Sequence, residues 1–300
     1  MQSARNEESQ NSNYQRDIQN IFRLNKWILG VIGIWPITVR GVGHHAQLIM
    51  MVFFNFVLIF TVIPCFLHMI FDQKNMMRRL KIVGLLSFCL TAMIKYYLLT
   101  MHRPKILYCI DYVKNDWWQV KFKSDRDVMV KYFTTGRNLT IASATFIYIA
   151  GIIYYFILPW CYEHKIGNRT VRPLVFQTYS GFPHLQITPL YEVVYLTNCV
   201  CGYAILSVSA GACGLASLFA THACAQIEII MTRLEDLLEG KNFEKVSNIN
   251  QRIGTIIKNH VRIIRFIAVV DEMIQAVCLV EFIGCLCVIC LVEYYCIAVR

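Results

Sequence analysis

The residues of this sequence best suited to chemistry are its 13 cysteines and eight histidines. Cys287 and Cys290, with Cys285 beside them, have the spacing of two ligands of a structural zinc site. A complete site needs a second such pair or a histidine partner, and this segment has neither. Most of the cysteines lie in apolar runs, where a thiol behaves as a small hydrophobic group. We therefore expect neither a metal site nor a redox centre.

The motifs of enzymes are incomplete as well. Gly41-x-Gly43-x-x-Ala46 imitates the dinucleotide-binding fingerprint, but it follows no strand pattern and runs straight into an apolar segment. His68 and Asp72 lie four residues apart, a spacing compatible with a catalytic pair, although such pairs are usually solvated at an interface. The sequence contains no nucleophile elbow, P-loop or HExxH motif. We expect no catalytic residue, no cofactor and no enzyme activity.

The composition indicates the solvent in which this chain is stable. Of its 300 residues 56% are hydrophobic and 16% are charged, whereas soluble domains carry about 25% charged residues. A disordered chain needs the opposite bias, and a soluble enzyme needs a more polar surface. The net charge of +10 is spread over the polar segments between apolar runs, so it does not indicate a nucleic-acid partner. The lipid bilayer is the expected environment.

Five apolar segments are long enough to cross a bilayer as helices of about 20 residues. Inside lipid every backbone polar group must be satisfied within its own segment, and the alternation of a β-barrel is absent, so helices are expected. The predicted fold is an all-α polytopic membrane bundle. In chain order the spans lie within residues 40–72, 82–102, 137–163, 192–228 and 273–292.

Two of these spans contain one ionisable residue each. A charge within the bilayer is unfavourable and usually faces a bundle interior, water or a partner. Lys95 lies about two turns from the predicted inner end of span two, so its side chain can extend to the headgroups. Glu281 lies near the middle of span five, and we expect it to face the interior of the bundle.

The distribution of lysine and arginine predicts the orientation. The segments before span one, from 103 to 137 and from 228 to 272 together carry 20 of these residues, and the opposite side carries eight. The positive-inside rule then places the N-terminus in the cytoplasm. Asn168, in an Asn-x-Thr triplet, is expected outside and open to glycosylation. Asn138 is expected inside, and its glycosylation would overturn this topology.

The same reasoning divides the chain into four parts. Residues 1–45 form a cytoplasmic N-terminal segment, 46–227 form spans one to four with their loops, 228–272 are cytoplasmic, and 273–300 hold span five and the chain end. Apolar residues recur at helical spacing through the third part, and Gly240 separates its halves. We expect span four to continue into an amphipathic helix, followed by a turn and a helix into span five. An in-plane surface helix is the alternative.

A G-protein-coupled receptor is the obvious competitor among membrane proteins. Its usual N-terminus lies outside, opposite to the charge bias of this chain. Asp125-Arg126-Asp127 resembles the arginine motif of that family, but it precedes span three instead of ending it. No Asn-Pro-x-x-Tyr motif occurs in the sequence. These departures argue against that class.

Two long segments resemble a different receptor family. THACAQIEIIMTRLEDLLE, from Thr221, and NHVRIIRFIAVVDEMIQAVCLVEFIGCLCVICLV, from Asn259, resemble the region joining the fourth and fifth spans of insect odorant receptors. LNKWILGVIGIWPI, from Leu24, is similar to the start of many of these receptors. The order of features and the inverted topology agree along essentially the whole chain. The positions that carry the resemblance are His222, Gln226, Leu234, His260, Phe266 and Glu272.

The resemblance implies an odorant-gated, non-selective cation channel in the plasma membrane of olfactory neuron dendrites, assembled as a heterotetramer with a co-receptor. It implies that residues 228–272 belong to a cytoplasmic anchor between subunits, and that a small volatile odorant enters a pocket in the outer half of the bundle. Apolar walls there would attract the odorant in proportion to area, and hydroxyls or thiols would orient it. The corresponding positions are Phe88, Thr91, Ile147, Tyr148, Gly151, Tyr155, Leu196, Cys199, Val200 and Tyr203.

The chain departs from this family in its number of spans. The family has seven spans and lines its pore with the last, whereas five are predicted before Arg300. We therefore expect a truncated receptor subunit that lacks the pore helix and one wall of the pocket. A gustatory receptor of the same superfamily is one alternative, since its signature lies in the last span. A small membrane transporter is another, although the discontinuous helices and internal repeat it predicts are not evident.

Overall fold

The computed structural model describes residues 13–36, 42–72, 75–157, 165–166, 169–170, 174, 176, 188–239 and 249–299. Two predicted features lie outside these residues: the glycosylation site Asn168 and the turn at Gly240. Within the described ranges the chain is predominantly helical.

The described helices follow one another in chain order. They are α1 (Tyr14–Val31), α2 (Val42–Leu67), α3 (Met76–Met101), α4 (Arg103–Gln119), α5 (Lys123–Ile152), α6 (Leu190–Leu238) and α7 (Ile249–Val299). α2 continues into a π-helical turn at His68–Asp72, and α5 into another at Ile153–Ile157. A short antiparallel ladder joins β1 (Lys165–Ile166) to β2 (Arg169–Thr170).

Five helical segments among the described residues are long and apolar enough to cross a membrane. This number agrees with the five predicted spans, and the predicted all-α membrane bundle is confirmed. α6 has 49 residues and α7 has 51, far more than the roughly 20 that a bilayer requires. The predicted continuation of span four, and of the helix that leads into span five, is therefore present. The segments are His45–Asp72, Arg79–Met101, Lys123–Tyr155, Leu190–Leu238 and Ile249–Ala298.

The chain divides into two compact units. The first unit consists of the described residues of Met1–Lys26, His102–Ala142 and Cys213–Gln275. The second unit consists of the described residues of Trp27–Met101, Ser143–Ala212 and Ala276–Arg300. Each has its own buried core.

The core of the first unit depends on the amphipathic pattern of α4. This helix begins with a proline in its first turn, where the missing N–H is not needed. Its buried residues recur at steps of three and four, so they lie on one face. They include Ile106, Cys109, Ile110, Val113 and Trp117.

In the second unit, the end of α1 is closed by a Schellman motif. The N–H of Ile34 donates to the carbonyl of Leu29 at 3.0 Å, and that of Gly33 donates to Gly30 at 3.1 Å. Gly33 has φ +74°, a conformation that is strained for residues with a Cβ. Gln47 of α2 donates to the Gly33 carbonyl at 2.9 Å, so this buried turn is satisfied by the neighbouring helix.

Candidate functional site

An apolar cluster fills the interior of the second unit. It is formed by α2, α3, the π-helical turn after α5, α6 and residue 176. Its surface is hydrocarbon, sulfur and aromatic ring, so its attraction for a small apolar molecule scales with the area buried, at about 25 cal/mol per Å². The buried members are Val57, Leu58, Val62, Cys65, Ile82, Leu86, Cys89, Ala92, Tyr155, Phe176, Cys201 and Ile205.

Tyr155 brings a hydroxyl group into this apolar cluster. The residue lies in the π-helical turn and is 4% exposed. Its ring centroid is 5.8 Å from that of Phe176, and a Cβ added at Gly202 would lie 2.7 Å from its Cε1. Within the described part of the chain the hydroxyl has no hydrogen-bond partner. A buried polar group in that condition costs about 1–3 kcal/mol, which makes it a candidate for function.

The hydroxyl group of Tyr148, on α5, has a hydrogen-bond partner among the described residues, unlike that of Tyr155. Its hydroxyl lies 2.9 Å from the Ser207 Oγ of α6, so both groups are satisfied. Its ring stacks on that of Tyr203, with centroids 6.2 Å apart and 24° between the planes. One turn further along, a Cβ at Gly151 would overlap the side chain of Leu206. α5 and α6 are therefore in close contact at this level.

The structure brings six of the ten predicted pocket residues to this region. Tyr155 is a member of the apolar cluster, and Phe88 and Val200 pack against it. The others form the contact between α5 and α6, whose Leu206 also packs against the apolar cluster. These are Tyr148, Gly151 and Tyr203.

The remaining four predicted residues lie elsewhere in the second unit. Thr91 donates to the Ser87 carbonyl of its own helix at 2.7 Å. Leu196 is 65% exposed, while Ile147 and Cys199 are half-buried. None of the four is a member of the apolar cluster or of the residues that pack against it.

Two residues of this region were not predicted from the sequence. Phe176 lies outside the helices and has no periodic pattern, yet it is 1% exposed, and its carbonyl accepts a hydrogen bond from Asn198 Nδ2 at 3.4 Å. Gly202 belongs to a stretch of α6 rich in small residues, a pattern typical of close helix packing. That pattern could have identified a close contact at Gly202, although not Tyr155 as the partner.

An ion pair with a buried lysine lies in the same unit. Lys95 is 1% exposed, and its ammonium group donates to Ser209 Oγ of α6 at 2.6 Å and to Glu281 Oε2 of α7. The contact agrees with the bundle-facing position predicted for Glu281. The prediction that Lys95 reaches the headgroups is wrong, because two oxygen acceptors on neighbouring helices satisfy the ammonium group inside the protein.

A second cluster of polar side chains, centred on the buried Asp116, lies in the first unit. Asp116 of α4 is hydrogen-bonded to His222 Nε2 of α6, at 3.0 Å, and forms an ion pair with Arg262 of α7. Beside it, the ring of Tyr112 stacks on Phe266 at 4.4 Å between centroids. Burial and the negative charge of Asp116 raise the pKa of Tyr112 above its ordinary value. Two positions that carry the family resemblance, His222 and Phe266, thus join three helices of this unit.

Further ion pairs in the first unit involve the Asp-Arg-Asp sequence before span three. Arg126 Nη2 lies 3.0 Å from Asp17 of α1, and Arg233 Nη2 of α6 lies 2.6 Å from Asp125. The side chains of Asp17 and Asp125 are mostly buried. This sequence therefore joins α5 to two other helices of the unit.

The cysteine and histidine motifs do not assemble into a metal centre within the described ranges. Cys285, Cys287 and Cys290 are free and exposed on α7. Among the described residues no three His, Cys, Asp or Glu side chains come together to hold a metal ion. His68 Nδ1 and Asp72 Oδ2 lie 2.9 Å apart in the π-helical turn after α2.

A cleft in the first unit is a weaker candidate for a ligand site. Its volume is about 230 Å³, a figure that includes open space at its mouth. His222, a polar residue that lines the cleft, is already hydrogen-bonded to Asp116. The cleft is lined by Ile21, Val113, Trp117, Met129, Phe133, Leu218, Thr221 and His222.

Comparison with known proteins gives one family match and several similar structures. The family described as 7tm Odorant receptor matches residues 75–299. The insect olfactory receptor OR5 from Machilis hrabei in complex with eugenol has a TM-score of 0.73 and 12% identity, covering 95% of this chain and 72% of that chain. A second structure of that receptor has a TM-score of 0.66 and 16% identity with the same coverage. No curated protein matches the sequence. At these identities the two structures show the fold alone.

Proposed function

Because this chain belongs to the 7tm Odorant receptor family, we propose that it binds a small volatile hydrophobic molecule in the apolar cluster of its second unit. Binding gates a non-selective cation channel that the chain forms with an odorant receptor co-receptor as a heterotetramer. The observation that carries the proposal is the cluster itself, where three long helices and Phe176 surround the buried Tyr155. Receptors of this family are not enzymes, which agrees with the predicted lack of enzyme activity.

The chemistry of the apolar cluster suits a volatile ligand. A ligand that buries about 200 Å² of apolar surface gains about 5 kcal/mol, which corresponds to an affinity between millimolar and micromolar. Affinities of this order allow the rapid release that a sensory response needs. The related receptor OR5 from Machilis hrabei has been solved with eugenol, a small aromatic molecule.

Two helices connect the apolar cluster to the ion pair of Lys95 and Glu281. On α3 the cluster member Ala92 is followed three residues later by Lys95, and on α6 Ile205 is followed four residues later by Ser209. Such spacing places these residues on one face of each helix. A ligand that shifts α3 against α6 would therefore also shift Lys95, and with it α7. Gating in this way requires tighter ligand binding to the open state.

The exposed surface of α7 supports assembly with other subunits in a membrane. Only 6% of the most apolar 18-residue stretch of this helix is buried within the chain. Large apolar side chains such as Phe282, Leu286 and Ile289 are exposed there. In our proposal lipid and the co-receptor cover this face, and residues 228–272 act as the cytoplasmic anchor between subunits.

The chain is a multi-pass membrane protein, and we place it in the plasma membrane of an olfactory neuron with its N-terminus in the cytoplasm. The excess of lysine and arginine in the expected cytoplasmic segments supports this orientation. Glycosylation of Asn168 but not of Asn138 would agree with it.

Co-expression with an odorant receptor co-receptor, followed by voltage-clamp recording, tests the proposed function. We expect odorant-evoked inward current in cells that contain both subunits, and no such current in cells that contain this chain alone. Surface labelling confirms that the chain reaches the plasma membrane. Silence to a broad odorant panel, with both subunits at the surface, would contradict the proposal.

A further inference from the structure

We propose that the Tyr155 hydroxyl donates a hydrogen bond to an acceptor oxygen of the ligand, so that the site selects small ketones, aldehydes or esters over hydrocarbons of the same shape. This inference rests on the proposed function, because it requires the ligand to lie in the apolar cluster.

The position of the Tyr155 ring is fixed by its neighbours. Phe176 packs against it with an interplanar angle of 44°, and Tyr154 meets it edge to face at 5.6 Å between centroids. Gly202 supports the ring at a distance that leaves no room for a Cβ. The π-helical turn that carries Tyr155 is a rare backbone feature that often marks functional sites. The hydroxyl is therefore held in one place in advance of binding.

The buried side chains of the apolar cluster offer this hydroxyl only weak hydrogen-bond acceptors. Its cluster neighbours are hydrocarbon side chains, the Phe176 ring and the thiols of Cys65, Cys89 and Cys201. A thiol is a weak hydrogen-bond acceptor. A carbonyl oxygen is much stronger, and in an apolar environment its bond to a phenol is strengthened. A ligand with such an oxygen thus satisfies a group that the described residues leave unpaired.

Two partly buried methionines beside the apolar cluster would adapt their shape to a bound ligand. Met69 and Met93 pack against the apolar cluster and are partly buried. Methionine has an unbranched, flexible and polarisable side chain, so it adapts to different shapes. A ligand can then exchange contacts with these side chains while Tyr155 and Phe176 keep their positions.

A pair of isosteric probes isolates the hydrogen bond. Acetophenone and α-methylstyrene have nearly the same shape, but the carbonyl oxygen of the first is a methylene group in the second. We would measure equilibrium binding of each tritiated probe to the full chain in lipid nanodiscs. For the wild type we expect acetophenone to bind about tenfold more tightly, the factor that one hydrogen bond of a buried group typically provides.

Two single-hydroxyl deletions complete the test. Tyr155→Phe should abolish the preference for acetophenone and leave α-methylstyrene binding unchanged. Its melting temperature should be unchanged or higher, because the deleted group has no hydrogen-bond partner among the described residues. Tyr96→Phe is the matched control: it removes a buried hydroxyl that donates to the Ile32 carbonyl and lies outside the apolar cluster, and it should keep the preference.

The possible results separate this inference from the proposed function. Equal wild-type binding of the two probes, or a preference that survives in Tyr155→Phe, would overturn the inference while leaving ligand binding intact. Failure of the wild type to bind either probe would contradict binding in the apolar cluster, and with it both proposals.

Discussion

Lys95 of α3 and Glu281 of α7 form an ion pair within the second unit, and Ser209 of α6 is the other acceptor of the ammonium group. The two partners are unequally buried: the lysine side chain is 1% exposed and the glutamate 46%. Removal of the glutamate leaves a buried ammonium group without its counter-charge. Removal of the lysine leaves a carboxylate that is still partly accessible. The two single substitutions should therefore differ in effect.

We predict that Glu281→Gln destabilises the protein by about 3 kcal/mol, because it leaves the buried ammonium group of Lys95 without its counter-charge. Lys95→Met should cost less, because methionine fills the space and the remaining carboxylate is partly exposed. The double variant should be more stable than Glu281→Gln alone. Thermal unfolding of the purified chain in detergent measures all three.

Lys81→Met is the matched control for these substitutions. Lys81 is exposed, and its ammonium group lies 5.0 Å from the centroid of the Tyr295 ring, a contact worth about 1 kcal/mol or less. If Glu281→Gln lowered the stability as little as Lys81→Met, or if the double variant were the least stable, Glu281 would not stabilise the buried charge of Lys95.

The surroundings of Gly202 and Gly254 predict opposite changes in stability when each glycine is replaced by alanine. A Cβ at Gly202 would lie 2.7 Å from Tyr155, whereas one at Gly254 of α7 has nothing within 4 Å. Gly202→Ala should therefore destabilise the chain by about 1–3 kcal/mol through overpacking. Gly254→Ala should stabilise it by about 0.5–1 kcal/mol, since alanine favours the helix. Equal melting temperatures for the two variants would show that Tyr155 does not pack on Gly202.

Asp116 and Asp111 lie on the same helix but in different environments. The side chain of Asp116 is 1% exposed and pairs with His222 and Arg262, while that of Asp111 is 53% exposed and pairs with Lys114. We expect Asp116→Asn to cost about 3 kcal/mol or more, and Asp111→Asn less than about 1 kcal/mol. Limited proteolysis and thermal melting compare the two. Similar stability of both variants would contradict a structural role for the buried group.

The reactivity of the Cys109 thiol tests whether α4 is buried as described. Burial raises the pKa of its thiol to about 12, so the reactive thiolate is scarce near pH 8. In single-cysteine variants, N-ethylmaleimide should modify Cys109 at least about 100-fold more slowly than the exposed Cys224. The unfolded thiol ionises near pH 8.5, so the associated stability is present below that pH and is lost as the pH rises towards 12. Comparable modification rates would place Cys109 at the surface.

The spans of this chain could be predicted because lipid leaves few conformations open. A long apolar segment must be helical, so hydropathy and length were sufficient to identify five spans. The partners of the buried charges could not be predicted in the same way. Lys95 meets residues 114 and 186 positions away, and Asp116 meets residues 106 and 146 positions away. Helical periodicity indicates a face but not the helix that covers it.

The candidate site shows the same limit at the level of single residues. Leu196 and Val200 are four residues apart on α6, and both were predicted to line the pocket. Val200 packs against the apolar cluster, whereas Leu196 is exposed. The extent to which a helix face is covered depends on its neighbours. Phe176 is one of these neighbours, and its position follows from no periodic pattern in the sequence.

Leu196 and Val200 also provide the most direct test of the claim that odorants bind in the apolar cluster. Val200→Trp fills space beside the cluster, and Leu196→Trp introduces the same side chain where the helix is exposed. For an odorant that evokes current with the co-receptor, we predict that Val200→Trp raises the half-maximal concentration more than about tenfold, equivalent to about 1.4 kcal/mol, with unchanged surface labelling. Leu196→Trp should respond like the wild type. An unchanged response in Val200→Trp, or an equal loss in both variants, would contradict the claim.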